Sequence, residues 1–475
     1  MGDDARHLER LLAVATCLAA SGHAQEVAAL AATARAFYGD AQLWAACCNH
    51  RGPRGRTRLL HAARKGSLAR VRFLVGRGAA VDAGDALGET ALMAACARGR
   101  LRIARFLVEH GGASVNAAMS DGSTALMAAS SSGRLETVRY LIEREPTASV
   151  AQRTNGWNAL MAASSSGHLE VVQLLLERGG ASVNAALTSN GSTALMEACY
   201  KGHLEVMRCL VERWGANVNA AQTDGHTALM LACKNGHLET VRFLVERGGA
   251  SVNAACIDDG STALMDASYG GYQEVVRFLI EHGGANVNAA QTDNGITALI
   301  WASEEGHVEV VRCLLEHGAN VNAAQTTDGL TALHCAGSCG QSSVVEILLG
   351  HGANADAATT YGATALILAC EEGKLEVVRL LVEHGANVNL VKAHGVTALM
   401  CATEHLENVR LLLERGANAN VADGNGWTAL IHASREGNFK VASLLLEYGA
   451  DKDAVSGDGK TAREYAEDFL NDLYG

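Results

Sequence analysis

The chain reads as an all-α solenoid, about twelve helix-turn-helix repeats joined by short hairpin loops behind an N-terminal helical cap. Three observations carry that reading. A phrase such as Gly225-His226-Thr227-Ala228-Leu229-Met230 followed by Gly236-His237-Leu238-Glu239-Thr240-Val241 returns from about residue 55 to the C-terminus. Its Thr falls at 57, 90, 124, 193, 227, 262, 297, 331, 364, 397, 428 and 461, with Asn158 in one copy, and most gaps are 33 to 35 residues. The composition is 48% hydrophobic but only 4% aromatic, as closely stacked helices require. A stack of 475 residues grows copy by copy and needs no second core.

Residues 1–54 stand apart from the repeat. Leu8, Leu11, Leu12, Ala15 and Leu18 recur at helical spacing, as do Val27, Leu30, Ala34 and Phe37, and a third helical stretch runs from Ala41 to Cys48. A signal peptide is the rival reading of the first stretch, but Asp3, Asp4 and Glu9 oppose Arg6 and Arg10 in its leading segment. The apolar run is too short to span a bilayer. Arg51, Arg54, Arg56 and Arg58 then read as a solvated basic linker into the first repeat. The expected division is a helical region over 1–54 and the repeat array over 55–475.

Within each copy the Thr is a helix N-cap. Leu229, Ala232 and Cys233 trace the buried stripe of the first helix in copy six. A Gly nine residues after the Thr ends that helix in a left-handed conformation. Leu169, Val172, Leu175 and Leu176 give the apolar face of a second helix, whereas Glu170, Gln173 and Glu177 face water. Asp-Gly or Asn-Gly pairs such as Asp224-Gly225 mark the hairpins. Twelve copies are complete, and a thirteenth from Thr461 stops after its first helix. Two seams interrupt the pattern. Around Glu145-Pro146-Thr147 the helix-ending glycine is missing. In the copy from Thr397 the glycine between the helices is absent and the loop is shortened.

Charge and cysteines bound the function. A net charge of −12 argues against a partner held by phosphate contacts. Of the 13 Cys, Cys96, Cys199, Cys233 and Cys370 lie six residues after the repeat Thr, where other copies carry Ala, Ser or Thr. Cys209 and Cys313 replace Phe on second helices. These are core substitutions, and unpaired thiols point to a reducing compartment, the cytoplasm or the nucleus. His334, Cys335 and Cys339 form a dense cluster that lacks a fourth zinc ligand. Gly457 to Thr461 imitates the end of a phosphate loop but falls in register as the last hairpin. No catalytic pair, metal or cofactor is expected, nor a small-molecule substrate.

The period, the two helices and the glycine turn resemble the ankyrin repeat over residues 55–475. The family's Pro after Thr is Ala here, as at Ala228, and its His is usually Met or Ile, as at Met127, Met196 and Ile300; only His334 keeps it. The resemblance implies a non-enzymatic scaffold that binds a protein in a concave groove of first helices and hairpin tips, as a single chain. Positions four, seven and eight after the Thr share a helix face and escape the repeat pattern. Early copies are basic or bland there (Arg64, Lys65, Arg98, Ser131, Ser165), and a later one is acidic at Glu371 and Glu372. The richest set is Glu197, Tyr200, Lys201, Leu231, Lys234, Asn235, Asp266, Tyr269, Trp301, Glu304 and Glu305, which places the partner on copies five to eight. Trp157, Ile296, Leu330 and Trp427 are expected at adjacent hairpin tips. An alternative comes from residues 18–48. Glu26-Val27, Leu30, Phe37 and Leu43-Trp44 resemble the latter part of an F-box without its usual Leu-Pro opening. That would imply a substrate receptor of a cullin-type ubiquitin ligase.

Overall fold

The computed structural model describes residues 48, 49, 51, 55–146, 148 and 153–474. The helical stretches expected over 1–47, with their signal-peptide and F-box-like readings, lie outside the described residues. Two compact units divide at residues 220 and 221. The first holds five helix pairs, from Arg58–Lys65 with Leu68–Gly76 to Ala194–Tyr200 with Leu204–Arg208. The second holds seven pairs, from Ala228–Lys234 with Leu238–Glu246 to Ala429–Arg435 with Phe439–Glu447, and then the single helix Ala462–Tyr474. Pairs are numbered below as repeats 1 to 12, in the order of their Thr residues.

The caps work as the sequence predicts in every repeat but the ninth, where the Thr331 hydroxyl meets His334 Nδ1 at 2.8 Å instead. The Thr227 hydroxyl accepts the Met230 N–H at 3.4 Å, and Asn158 does the same for Met161 at 3.0 Å. An uncapped helix start would leave that amide unpaired, at a cost of about 1 kcal/mol. His334 accepts the Thr331 N–H at Nδ1, 3.1 Å away, and its Nε2 donates to the Ala357 and Ala363 carbonyls. In three other copies the Met at this position takes over part of that contact. The sulfur atoms of Met93, Met230 and Met400 sit 3.5 Å from the N–H of their own cap Thr and accept weakly from it.

The glycine that follows the first helix in every repeat but the eleventh has a reason beyond its φ, as Gly133 shows. Gly133 has φ +65, and a Cβ on it would lie 2.6 Å from His168 Nδ1 of the next repeat. That ring reaches back so that Nε2 meets the Ser131 carbonyl at 3.1 Å. His203 and His307 make the same bond to Ser165 and Tyr269. The helix-start histidines therefore tie one repeat to the one before it.

Two further ladders join repeats within each unit. At the hairpins, Asp or Asn folds back so that Oδ1 accepts the N–H two residues on, as Asp224 does for His226 at 3.0 Å. The hairpins then touch backbone to backbone: Thr188 N–H donates to Asn155, and Ile257 N–H to Asp224, both at 2.8 Å. At the opposite loops, the Asn of Val-Asn-Ala links neighbours. Asn322 Oδ1 accepts the Asn354 N–H at 2.8 Å while Nδ2 donates to the Gly352 carbonyl at 3.3 Å. Asn288, Asn389 and Asn420 repeat the pattern.

The core follows the expected stripes. Leu229, Ala232, Cys233, Val172 and Leu175 are all buried, and so are Cys96, Cys199, Cys370 and Cys313. Burial pushes the Cys96, Cys199 and Cys370 thiols far up, which keeps them protonated and inert. The eleventh repeat shows its defect directly. Its first helix is only Ala398–Cys401, and the Nδ2 of Asn408, a buried residue behind it, has no hydrogen-bond partner. In repeat 5 the second helix widens into a π turn over Cys209–Arg213, which the sequence reading did not anticipate.

Candidate protein-binding surface

The repeat fixes which first-helix positions can vary. Positions two, five and six after the Thr are committed to the core. Positions four, seven and eight emerge from the same side of each short helix, because three and four residues make about one turn. In the first unit, Glu197 is half-buried and accepts the Ser192 hydroxyl at 3.1 Å. Tyr200 is exposed, with the Lys201 ammonium 5.0 Å from its ring centre. In the second unit, Lys234, Tyr269 and Glu305 are exposed, whereas Leu231, Asn235, Asp266, Trp301 and Glu304 are half-buried. All eleven sequence-expected residues thus reach the surface of their own unit.

Repeats 7 and 8 bring the aromatic pair together. Tyr269 and Trp301 meet edge to face, with ring centres 5.3 Å apart and planes at 84°. Trp301 is therefore partly covered by its neighbour rather than standing free, while Tyr269 stays 51% exposed. Asp266 lies one turn before Tyr269. Its Oδ2 is out of solvent and has no hydrogen-bond partner, although the residue as a whole is only partly covered. Burial pushes its carboxyl up to about 6; His226 and Lys234 pull it down, and Asp259 pushes it further up. Glu304 is also raised, first by burial and then by the neighbouring Glu305.

The expected hairpin residues fare differently. Ile296 is buried at 8% exposure and presents nothing to solvent. Its carbonyl accepts the Gln291 N–H at 2.8 Å, so it closes the base of the hairpin and its side chain turns into the stack. Leu330, Trp157 and Trp427 are half-buried. Trp427 is taken up by internal packing, 5.0 Å from His432 and 5.2 Å from Tyr465.

Sequence reasoning missed one feature of the first unit. A cavity of about 340 Å³ opens over repeats 2 to 4, with Met93, Met119, Met127 and Trp157 around a floor of Ala128, Ala162, Ser131 and Ser165. The signal was available as bland residues at positions four and seven of consecutive copies. Small side chains there leave the space that Leu231, Trp301 and Tyr269 fill elsewhere.

Among the described residues, no cluster of His, Cys, Asp and Glu is arranged to hold a metal, and no helix is long and apolar enough to cross a membrane. The dense His334, Cys335 and Cys339 group resolves into a structural His and two free thiols, Cys335 buried and Cys339 exposed. In the phosphate-loop lookalike, Lys460 Nζ donates to Asp468 at 2.8 Å, and the Thr461 hydroxyl bonds Glu464 at 2.8 Å.

No curated protein matches the chain. The family model for ankyrin repeats, three copies long, matches it six times, over residues 59–151, 145–222, 215–291, 284–359, 351–423 and 394–456. Arrays of this kind serve as protein–protein interaction scaffolds. Those matches run from residue 59 to residue 456, and the chain belongs to the ankyrin repeat family.

Proposed function

We propose that the repeat array from residue 55 onward is a non-enzymatic scaffold that holds a protein partner on the first-helix surface of repeats 6 to 8. Leu231, Lys234, Asn235, Asp266, Tyr269, Trp301, Glu304 and Glu305 are its contacts. One observation carries the reading. An edge-to-face aromatic pair stands among charged side chains at positions that the repeat does not need for stacking. Aromatic anchors ringed by polar groups have the make-up of a protein interface, and a large ring left in water without a core role calls for a partner. Glu197, Tyr200 and Lys201 form a smaller surface of the same type on the first unit. The helix-start histidines His168, His203 and His307 spend Nε2 on backbone carbonyls, which argues against a catalytic use. The chain works in the cytoplasm or nucleus, as a single copy.

The test is affinity purification with mass spectrometry, comparing the full chain with its Tyr200→Ala/Tyr269→Ala/Trp301→Ala variant. The variant keeps its helical circular dichroism and loses the partners. If it recovers every partner of the unaltered chain, the assignment of the surface is wrong.

A further inference from the structure

Carboxylates on the second unit are unevenly matched with cations. Glu371, at position seven of repeat 10, accepts from Lys392 Nζ at 3.0 Å. Asp266, Glu304 and Glu305 have no cation within ion-pair distance among the described residues, although the same unit holds the pairs Arg312–Glu309, Arg379–Glu376 and His317–Glu281. Lys234, exposed on repeat 6, forms no ion pair among the described residues, although its charge helps to hold the Asp266 carboxyl down. Asp266 is the extreme case, because its Oδ2 is out of solvent and meets no donor among the described residues. A carboxylate oxygen in that condition has lost its hydration and gained nothing in return. The Tyr269–Trp301 pair stands beside it, and aromatic faces attract cations.

We propose that repeats 7 and 8 receive a basic side chain, arginine above all, from an extended segment of the partner protein. The cation stacks on the Tyr269–Trp301 pair, its N–H groups donate to Glu304 or Glu305, and its charge offsets that of the covered Asp266 carboxylate. Charge complementarity selects this occupant. An apolar segment would strip water from three unpaired carboxylates, and an acidic one would add a like charge. A guanidinium stacks and donates in its own plane at once, which an ammonium does less well. Burial is the leading cause of the raised carboxyls of Asp266 and Glu304; His226 and Lys234 offset it only in part at Asp266, and Glu305 adds to it at Glu304. The inference rests on the partner surface proposed above and names the chemistry of what it takes.

The experiment pans a random-peptide phage library against the full chain. The selected peptides are then titrated by fluorescence anisotropy against the unaltered chain and three variants: Asp266→Asn, Glu304→Gln/Glu305→Gln and Tyr269→Ala/Trp301→Ala. Selected peptides are expected to share an Arg or Lys, and each variant to weaken them by roughly tenfold or more. Asp266→Asn removes a buried charge, so a loss of binding there does not report a loss of fold, and circular dichroism verifies this. Peptides without a basic residue that bind in a Tyr269- and Trp301-dependent way would overturn the basic partner and leave the surface standing. Peptides indifferent to all three variants, or no enrichment at all, would overturn both.

Discussion

Asp266→Asn should make the protein more stable at neutral pH. The carboxyl of Asp266 is raised from its ordinary 3.8 to about 6, with burial as the leading cause. Raising the carboxyl from 3.8 to about 6 corresponds to roughly 3 kcal/mol between the two protonation states. The residue is partly open to solvent, and Lys234 and His226 lie near enough to help, so a realised gain of about 1–3 kcal/mol is the better expectation. The unfolded chain releases this proton near 3.8 and the folded chain near 6. Between those values the folded state holds more protons. Its stability is therefore fully present below 3.8 and is lost as pH rises through 6. Asparagine has no charge to bury, so the two proteins should converge in acid. The measurement is hydrogen exchange of the helix Ala263–Tyr269, because a stack of repeats opens locally, with urea unfolding as a second readout. At about pH 7.5 the variant exchanges more slowly and unfolds at higher urea; towards pH 4 the gap closes. A variant that is neutral or weaker at pH 7.5, or a gap that ignores pH, would refute the reasoning.

Other outcomes follow from the same geometry. Gly133→Ala meets both a left-handed φ and the His168 ring, and should cost about 1 kcal/mol or more in thermal unfolding. The double change with His168→Ala should cost less than the sum of the two singles, since the ring is one of the two obstacles. His334 has its imidazole lowered by burial, so the unfolded chain protonates first as pH falls below about 6.5 and the folded state loses stability there. His334→Met, which copies the residue of other repeats, should flatten that acid slope in a melting series. Limited proteolysis should cut first near 403–408, behind the four-residue helix Ala398–Cys401, or near 145–156; first cuts inside repeats 6 to 8 would contradict this.

The helices of each repeat were legible in the sequence because the devices that start and stop them are local. A Thr cap needs only the amide three residues on, and a left-handed glycine needs only its own φ. The Thr register therefore located both helices of each repeat, and Asn158 was readable as a substitute cap. The outward positions were legible for the same reason, as Tyr269 and Glu305 show. What escaped depends on the next repeat. Helical spacing could not tell that Trp301 would lean on Tyr269, that one oxygen of Asp266 would be covered, or that Ile296 would turn inward at the hairpin base. The cavity over repeats 2 to 4 is made of absent side chains, which a search for conspicuous residues passes over. The π turn at Cys209–Arg213 has no periodic signature of its own.

The Asn ladder has a consequence for how such a chain changes length. Asn288 offers Oδ1 to the Asn320 amide and Nδ2 to the Gly318 carbonyl, and Asn322 offers the same two atoms to Asn354 and Gly352. Every junction built this way presents one socket and fits one plug. Excising the stretch between two equivalent asparagines, or pasting in another, regenerates a junction the protein already contains. Unequal recombination within the gene would then add or delete whole repeats without creating a new interface, whereas a cut out of register would orphan both atoms. Repeat number is thereby free to drift, and the sets of surface residues that ride on each copy can be shuffled as intact cards.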